Sequence, residues 1–119
     1  SLMRGTKDAM PAAREPGVVY ALGCRDCPKI YIGETVRTAQ QRANEHKYHA
    51  RIGHTQLSAV ASHTCTSGHS MHWQPMVLAR ERNTARRRVR EALLIQKFGT
   101  KVMNQDSGLE LSKLWLNLV

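Results

Sequence analysis

Between Gly17 and Gly33 the chain reads GVVYALGCRDCPKIYIG, two short runs rich in β-branched and aromatic residues, separated by a Gly-Cys-x-x-Cys-Pro turn. Both runs favour strands, the second stopping at Gly33. Their connection is far too short for a parallel crossover, which takes a dozen or more residues, so the stretch has to fold back as an antiparallel hairpin. Tyr20 and Tyr31, one in each run, are brought near one another by that fold. Everything else in the chain has to be arranged around this hairpin.

From Thr35 to about Arg51 the residues TVRTAQQRANEHKYHAR are mostly good helix formers without Gly or Pro, and Thr35 is in position to act as N-cap. On such a helix Arg42 and His46 stand one turn apart and can converge on one ligand. After Gly53, TQLSAVASHTC predicts a second, shorter helix, TSGHSMHW a turn-like stretch and QPMVLARE a third strand. The longest helix is expected over Thr84 to Phe98, stopped by Gly99. Its apolar members Val89, Leu93, Leu94, Ile95 and Phe98 suit burial against a sheet, yet Glu91 lies three, four and seven residues before Leu94, Ile95 and Phe98, on their stripe. Two readings of that carboxylate stand. It pairs with Arg87 or Arg88 one turn earlier, or it ligates a hard divalent cation at the edge of a cleft, where the cation offsets the desolvation.

A length of 119 residues suits one compact domain. Residues 1–16, SLMRGTKDAMPAAREP, carry two prolines and no apolar periodicity, so they are expected to be a flexible lead-in to a domain over 17–119. Lys and Arg total 18 against 9 acidic residues, a net charge of +9 that points to a polyanionic partner, nucleic acid foremost; a solvated basic surface is the alternative. Three cysteines do not make a disulfide scaffold, and no apolar run is long enough to span a bilayer. An odd cysteine count among histidines points instead to metal chemistry in a reducing, intracellular compartment.

Several of these residues form an ordered set: Val18-Val19-Tyr20, Tyr31-Ile32-Gly33 with the tyrosines eleven residues apart, Arg42, Glu45-His46, Glu91 within a helix, and Asn104 in VMNQDSG. Together they resemble the GIY-YIG nuclease domain, from Gly17 to about Asp106. One departure is Val-Val-Tyr in place of Gly-Ile-Tyr, at apolar positions that belong to a strand interior. The resemblance implies an α/β (α+β) fold, a small three-stranded antiparallel sheet flanked by helices, and hydrolysis of DNA phosphodiesters with one divalent metal. By position, it implies that Glu91 binds Mg²⁺ or Mn²⁺, that Arg42 holds a phosphate oxygen, and that Tyr20 accepts the proton of the attacking water. Tyr31 and His46 would position or relay, and Asn104 would support the cleft. A tyrosine, with a reference pKa of about 10, is a poor base at neutral pH, so positive charge from Arg42, His46 and the metal has to stabilise phenolate as it forms. Taken singly, each tyrosine is an amphipathic strand residue with its hydroxyl at the rim of the core. His54 reads as an exposed loop histidine.

Cys24 and Cys27 lie inside the hairpin rather than at a helix N-terminus after a strand, which argues against a thioredoxin-type redox pair. His63, Cys65, His69 and His72 follow in one short stretch. Cys-x₂-Cys with a later His-x₅-His is a fair spacing for structural zinc, with Cys65 or His72 able to replace one histidine; a polar loop with incidental histidines is the alternative. The cysteine pair between the tyrosine motifs, the stretch SAVASHTCTSGHSMHW and the ending NQDSGLELSKLW also resemble the endonuclease domain of Penelope-like retroelements. That resemblance implies a structural Zn²⁺ clip on Cys24, Cys27, His63 and His69 that braces the tyrosine-bearing sheet. It further implies a nuclear protein that nicks DNA and leaves a 3′-hydroxyl for a reverse transcriptase module. Phosphate contacts are expected from Lys and Arg, including the RERNTARRRVR run. A catalytically idle, zinc-braced nucleic-acid-binding module on the same fold is the second functional expectation.

Overall fold

A computed structural model describes residues 12–104. Most of the lead-in (residues 1–11) and the ending QDSGLELSKLW from Gln105 onward lie outside the described residues. Three strands and three helices follow in the order β1 (Pro16–Gly23), β2 (Ile30–Thr38), α1 (Ala39–Ile52), α2 (Ala59–Ser67), β3 (Met76–Arg80) and α3 (Thr84–Phe98). Single 3₁₀ turns, Ala12–Arg14 and Gly99–Lys101, flank this set. Among the described residues no helix is long and apolar enough to cross a membrane.

The sheet has the order β2-β1-β3, and both pairings are antiparallel. The expected hairpin is therefore present, and β1 is the central strand. Its continuous apolar run follows from that place, since both of its faces are covered. Val18, Tyr20 and Leu22 point to one face and pack with Ala39 and Ala43 of α1 and Val60 of α2; the two alanines let α1 approach the sheet closely. Val19 points to the other face. Opposite it on β2 is Glu34, which receives Arg87 from α3.

Two expectations for the middle of the chain are corrected. Gly33 does not end the second strand, which runs on to Thr38, and α1 begins at Ala39 with Thr38, not Thr35, as its N-cap. Thr35, Val36 and Thr38 are β-branched, and Thr35 and Thr38 pair with Val18 and Pro16 across the hairpin, so sheet pairing wins over a helical start. Thr38 instead closes a reciprocal capping box with Gln41. Likewise α2 starts only at Ala59, where Ser58 accepts the Ala61 N–H.

In α3 the expected span and the Gly99 stop are both observed, with Asn83 as N-cap. Its expected apolar stripe is only partly correct, because Leu93 is 47% exposed while Arg87 is 2% exposed. Within α3 Arg87 alone is buried, Val89, Glu91, Leu94, Ile95 and Phe98 are half-buried, and Leu93 stands about 100° away from Leu94 around the helix. Arg87 tolerates burial because its donors are used: Nε to Glu34 Oε1 at 2.7 Å, and Nη1 to the Glu81 and Arg82 carbonyls at 3.1 and 3.2 Å.

Candidate active site and metal clip

At the centre of the α1-facing side, the Tyr20 hydroxyl lies 3.1 Å from Nε2 of His46, and Nδ1 of the same ring lies 2.7 Å from the Ser58 hydroxyl. All three residues are buried. Tyr31 completes the group, its ring 6.1 Å from that of Tyr20 and edge-on to His46 at 4.7 Å. This crowding depends on Gly33, which sits directly opposite Tyr20 in the hairpin. A Cβ at that position would come within 2.6 Å of the Tyr20 hydroxyl and 2.8 Å of the Tyr31 ring. Glycine is thus placed mid-strand for close approach, despite its poor fit to strands in general.

Burial dominates the electrostatics. Desolvation, reinforced by Tyr31, raises the Tyr20 pKa far above the ordinary tyrosine value, and Arg42 opposes the shift. Tyr31 is raised too, by burial and then by Glu91, with Arg42 again opposing. Desolvation and the charge of Arg42 push His46 down to about 4, so the imidazole is neutral at physiological pH. Arg42 pairs with Glu45, which also holds Arg37 at 2.6 Å. That pairing lies at the half-exposed edge of the site, where a phosphate oxygen can take the place of Glu45.

Glu91 comes from α3. Burial and the neighbouring Glu34 push its pKa up to about 7. Of the two sequence readings, the ion pair is not found among the described residues: Arg87 and Arg88 both turn to Glu34, at 2.7 and 3.7 Å. A desolvated carboxylate beside a second one has the chemistry of a divalent-cation ligand, needing only water and substrate oxygens to complete the shell. Asn104 is spent on the backbone. Its Oδ1 accepts from the Ile32 N–H at 3.0 Å and its Nδ2 donates to the Ile32 carbonyl at 2.6 Å, tying down the free edge of β2 beside Tyr31.

The hairpin turn forms a second group with the end of α2. Cys24, Cys27, His63 and His69 offer ligand atoms that all lie within 4.8 Å of one another. Sulfur–nitrogen separations are 3.6 Å for Cys24–His69, 3.6 Å for Cys27–His63 and 3.4 Å for Cys24–His63. A tetrahedral centre with zinc bond lengths sets sulfur and nitrogen about 3.6 Å apart, so this Cys₂His₂ cluster fits zinc. Burial and neighbouring His69 and Lys29 lower the His63 pKa and favour the neutral, ligating ring. Cys65, a candidate substitute, is exposed and turns its thiol to the Ala50 carbonyl; His72, also exposed, is outside the cluster, as is His54.

Tyr20, Tyr31, Arg42, His46 and Glu91 are thus gathered from β1, β2, α1 and α3, with Asn104 in support. Ser58 and Glu34 were absent from the sequence reading. An N-cap serine ahead of a short helix is visible in SAVASHTC, but nothing local reveals which imidazole it meets. Comparisons with curated proteins and with solved structures gave no match. The GIY-YIG catalytic domain, a family of nucleases, matches residues 16–104. That span takes in the whole sheet, all three helices and each of the six residues just named, and on this match the chain belongs to the GIY-YIG family.

Proposed function

We propose that the chain is a metal-dependent DNA endonuclease that hydrolyses phosphodiester bonds, with a separate structural zinc. The observation that carries this reading is Tyr20, a buried phenol 3.1 Å from a neutral imidazole and beside the Arg42 guanidinium. Tyr20 first loses its own proton to solvent, and the phenolate then takes the proton of the attacking water. Water oxygen then bonds to phosphorus, the bond to the 3′-oxygen breaks, and that oxygen takes a proton from solvent to leave a 3′-hydroxyl and a 5′-phosphate. Because burial holds the phenol protonated at rest, the base forms only as positive potential reaches it, and the rate rises with pH. Arg42 supplies part of that potential and exchanges Glu45 for a non-bridging oxygen. Glu91 would hold Mg²⁺ or Mn²⁺, which would supply positive charge to offset the charge that builds up in the transition state.

In the finer form of this proposal, the nick primes a reverse transcriptase module of a parent retroelement of the Penelope-like kind, in the nucleus. The Cys₂His₂ cluster between the tyrosine motifs and α2 supports it. A second reading, a zinc-braced binding module without catalysis, is favoured by one fact: Tyr20 is fully buried and keeps its proton.

Supercoiled plasmid separates the two. With Mg²⁺ or Mn²⁺ the wild type is expected to convert it to the open circle, and Glu91→Ala to bind DNA but not cut. Intact binding with no nicking by wild type under either metal establishes the idle module, and nicking that survives Glu91→Ala removes the metal-ligand assignment.

A further inference from the structure

We infer that Ser58 is a positioning residue that sets the tautomer of His46: its hydroxyl donates to Nδ1, so the ring proton sits on Nε2 and points at the Tyr20 oxygen. Each buried donor in this dry site needs an acceptor. Ser58 Oγ has one proton and two lone pairs. As N-cap of α2 it accepts the Ala61 N–H at 3.2 Å, and its remaining side-chain contact among the described residues is His46 Nδ1 at 2.7 Å. Were the ring proton on Nδ1, it would point at the serine oxygen, and the buried hydroxyl proton would have no acceptor there. With the proton on Nε2, each of these groups is satisfied in one direction: Ala61 N–H to Ser58, Ser58 O–H to Nδ1, Nε2–H to Tyr20, and the Tyr20 O–H to the Tyr31 oxygen beside it.

His46 then donates to Tyr20. It holds the phenol oxygen from behind, leaves the Tyr20 O–H to Tyr31, and stabilises phenolate as that proton departs. In this tautomer Nε2 is not available to receive the Tyr20 proton, so a relay through His46 is excluded and positioning remains. Groups facing the ring from the packed elements are Tyr20 on β1, Tyr31 on β2, Arg42, Glu45 and His49 on α1, and Ser58 ahead of α2. Neither carboxylate nor basic side chain among them competes for Nδ1 at hydrogen-bond distance. The consequence for catalysis rests on the endonuclease reading; the tautomer does not.

Zinc-loaded full-length chain, labelled with ¹⁵N, tests the tautomer through the His46 ring nitrogens at neutral pH. Expected is a protonated Nε2 and a bare Nδ1 in wild type and in Ser58→Thr, with Ser58→Gly shifted toward the other tautomer. Glycine is a tolerated N-cap, so Ser58→Gly removes the hydroxyl while keeping the start of α2; it decides the matter alone if the added methyl of threonine does not fit. In plasmid nicking followed from about pH 6 to 10, Ser58→Gly is expected to move the alkaline rise upward by about one pH unit, the size of one lost hydrogen bond to the charged form, and threonine to restore it. A wild-type ring protonated on Nδ1 overturns the inference, and so does a Ser58→Gly protein with unchanged ring nitrogens and pH profile. If wild type does not nick at all, the endonuclease reading fails while the ring spectrum still decides the tautomer.

Discussion

The candidate metal clip and the candidate active site are built from the same two stretches of chain. β1 carries Tyr20 and is followed directly by Cys24; Ser58 caps α2 and His63 lies within it. In the clip the link is a Cys₂His₂ cluster with ligand separations of 3.4–3.6 Å. In the active site it is a chain of hydrogen bonds through a neutral imidazole. The clip is half-buried and made of soft ligands that one ion can draw together, so its geometry forgives small errors. At the candidate active site Tyr20, His46 and Ser58 are buried, Gly33 leaves no spare volume, and the arrangement depends on where single protons sit. On the proposed reading, a zinc ion held at the first would keep the second in register.

That contrast can be broken most sharply from the cleft. Glu91→Gln is expected to lower nicking by a hundredfold or more, on the order of the loss seen when charge stabilisation at a transition state is removed, with zinc content and folding unchanged. Quantified zinc, a melting curve and a plasmid assay on one preparation check all three. Next in size is the clip: Cys24→Ser or chelation is expected to release zinc and several kcal/mol of stability, on the order of a 10 °C fall in melting midpoint or more, with activity falling along with it. A zinc-free wild type that melts no lower would show that the clip is not structural. Gly33→Ala is expected to cost about 1–3 kcal/mol through the overlap with Tyr20 and Tyr31, and to reduce nicking further than that loss accounts for.

His46 gives the smallest effect and the most specific one. Its folded pKa of about 4 lies below the ordinary value of 6.5, so between these limits the unfolded chain binds a proton that the folded chain refuses. Stability is fully present above about pH 6.5 and is lost as pH falls toward 4. His46→Gln is expected to flatten that part of the pH–stability curve, measured by denaturant melts at pH 7, 5.5 and 4, while lowering stability at neutral pH. An unchanged acid limb would show that His46 is not a buried neutral ring.

How these two regions read in the sequence follows the same division. The clip could be read from spacing, because both of its halves are short local motifs; which two of Cys65, His63, His69 and His72 complete it needed the turn after α2. α3 could be read from its ends, since its start at Thr84 and its stop at Gly99 are local signals with local consequences. β2 could not, because Thr35 to Thr38 are equally good as a helix start until β1 is there to pair with them. Gly33 was visible but misread as a stop, since only the register places Tyr20 across from it. Ser58 was invisible as part of the site: its cap belongs to the chain, and its imidazole partner arrives from another helix. Arg87 shows the same limit, a buried charged residue whose partner Glu34 lies far away in sequence.

Nicking rate against pH, with saturating Mg²⁺ and equal amounts of folded protein, tests most directly whether Tyr20 is the base. Wild type is expected to gain about tenfold per pH unit through the neutral range, as a single proton is lost from a group of high pKa, and Tyr20→Phe to lie at least a hundredfold lower with that slope abolished. A Tyr20→Phe protein that cuts at the wild-type rate with the wild-type slope contradicts the account.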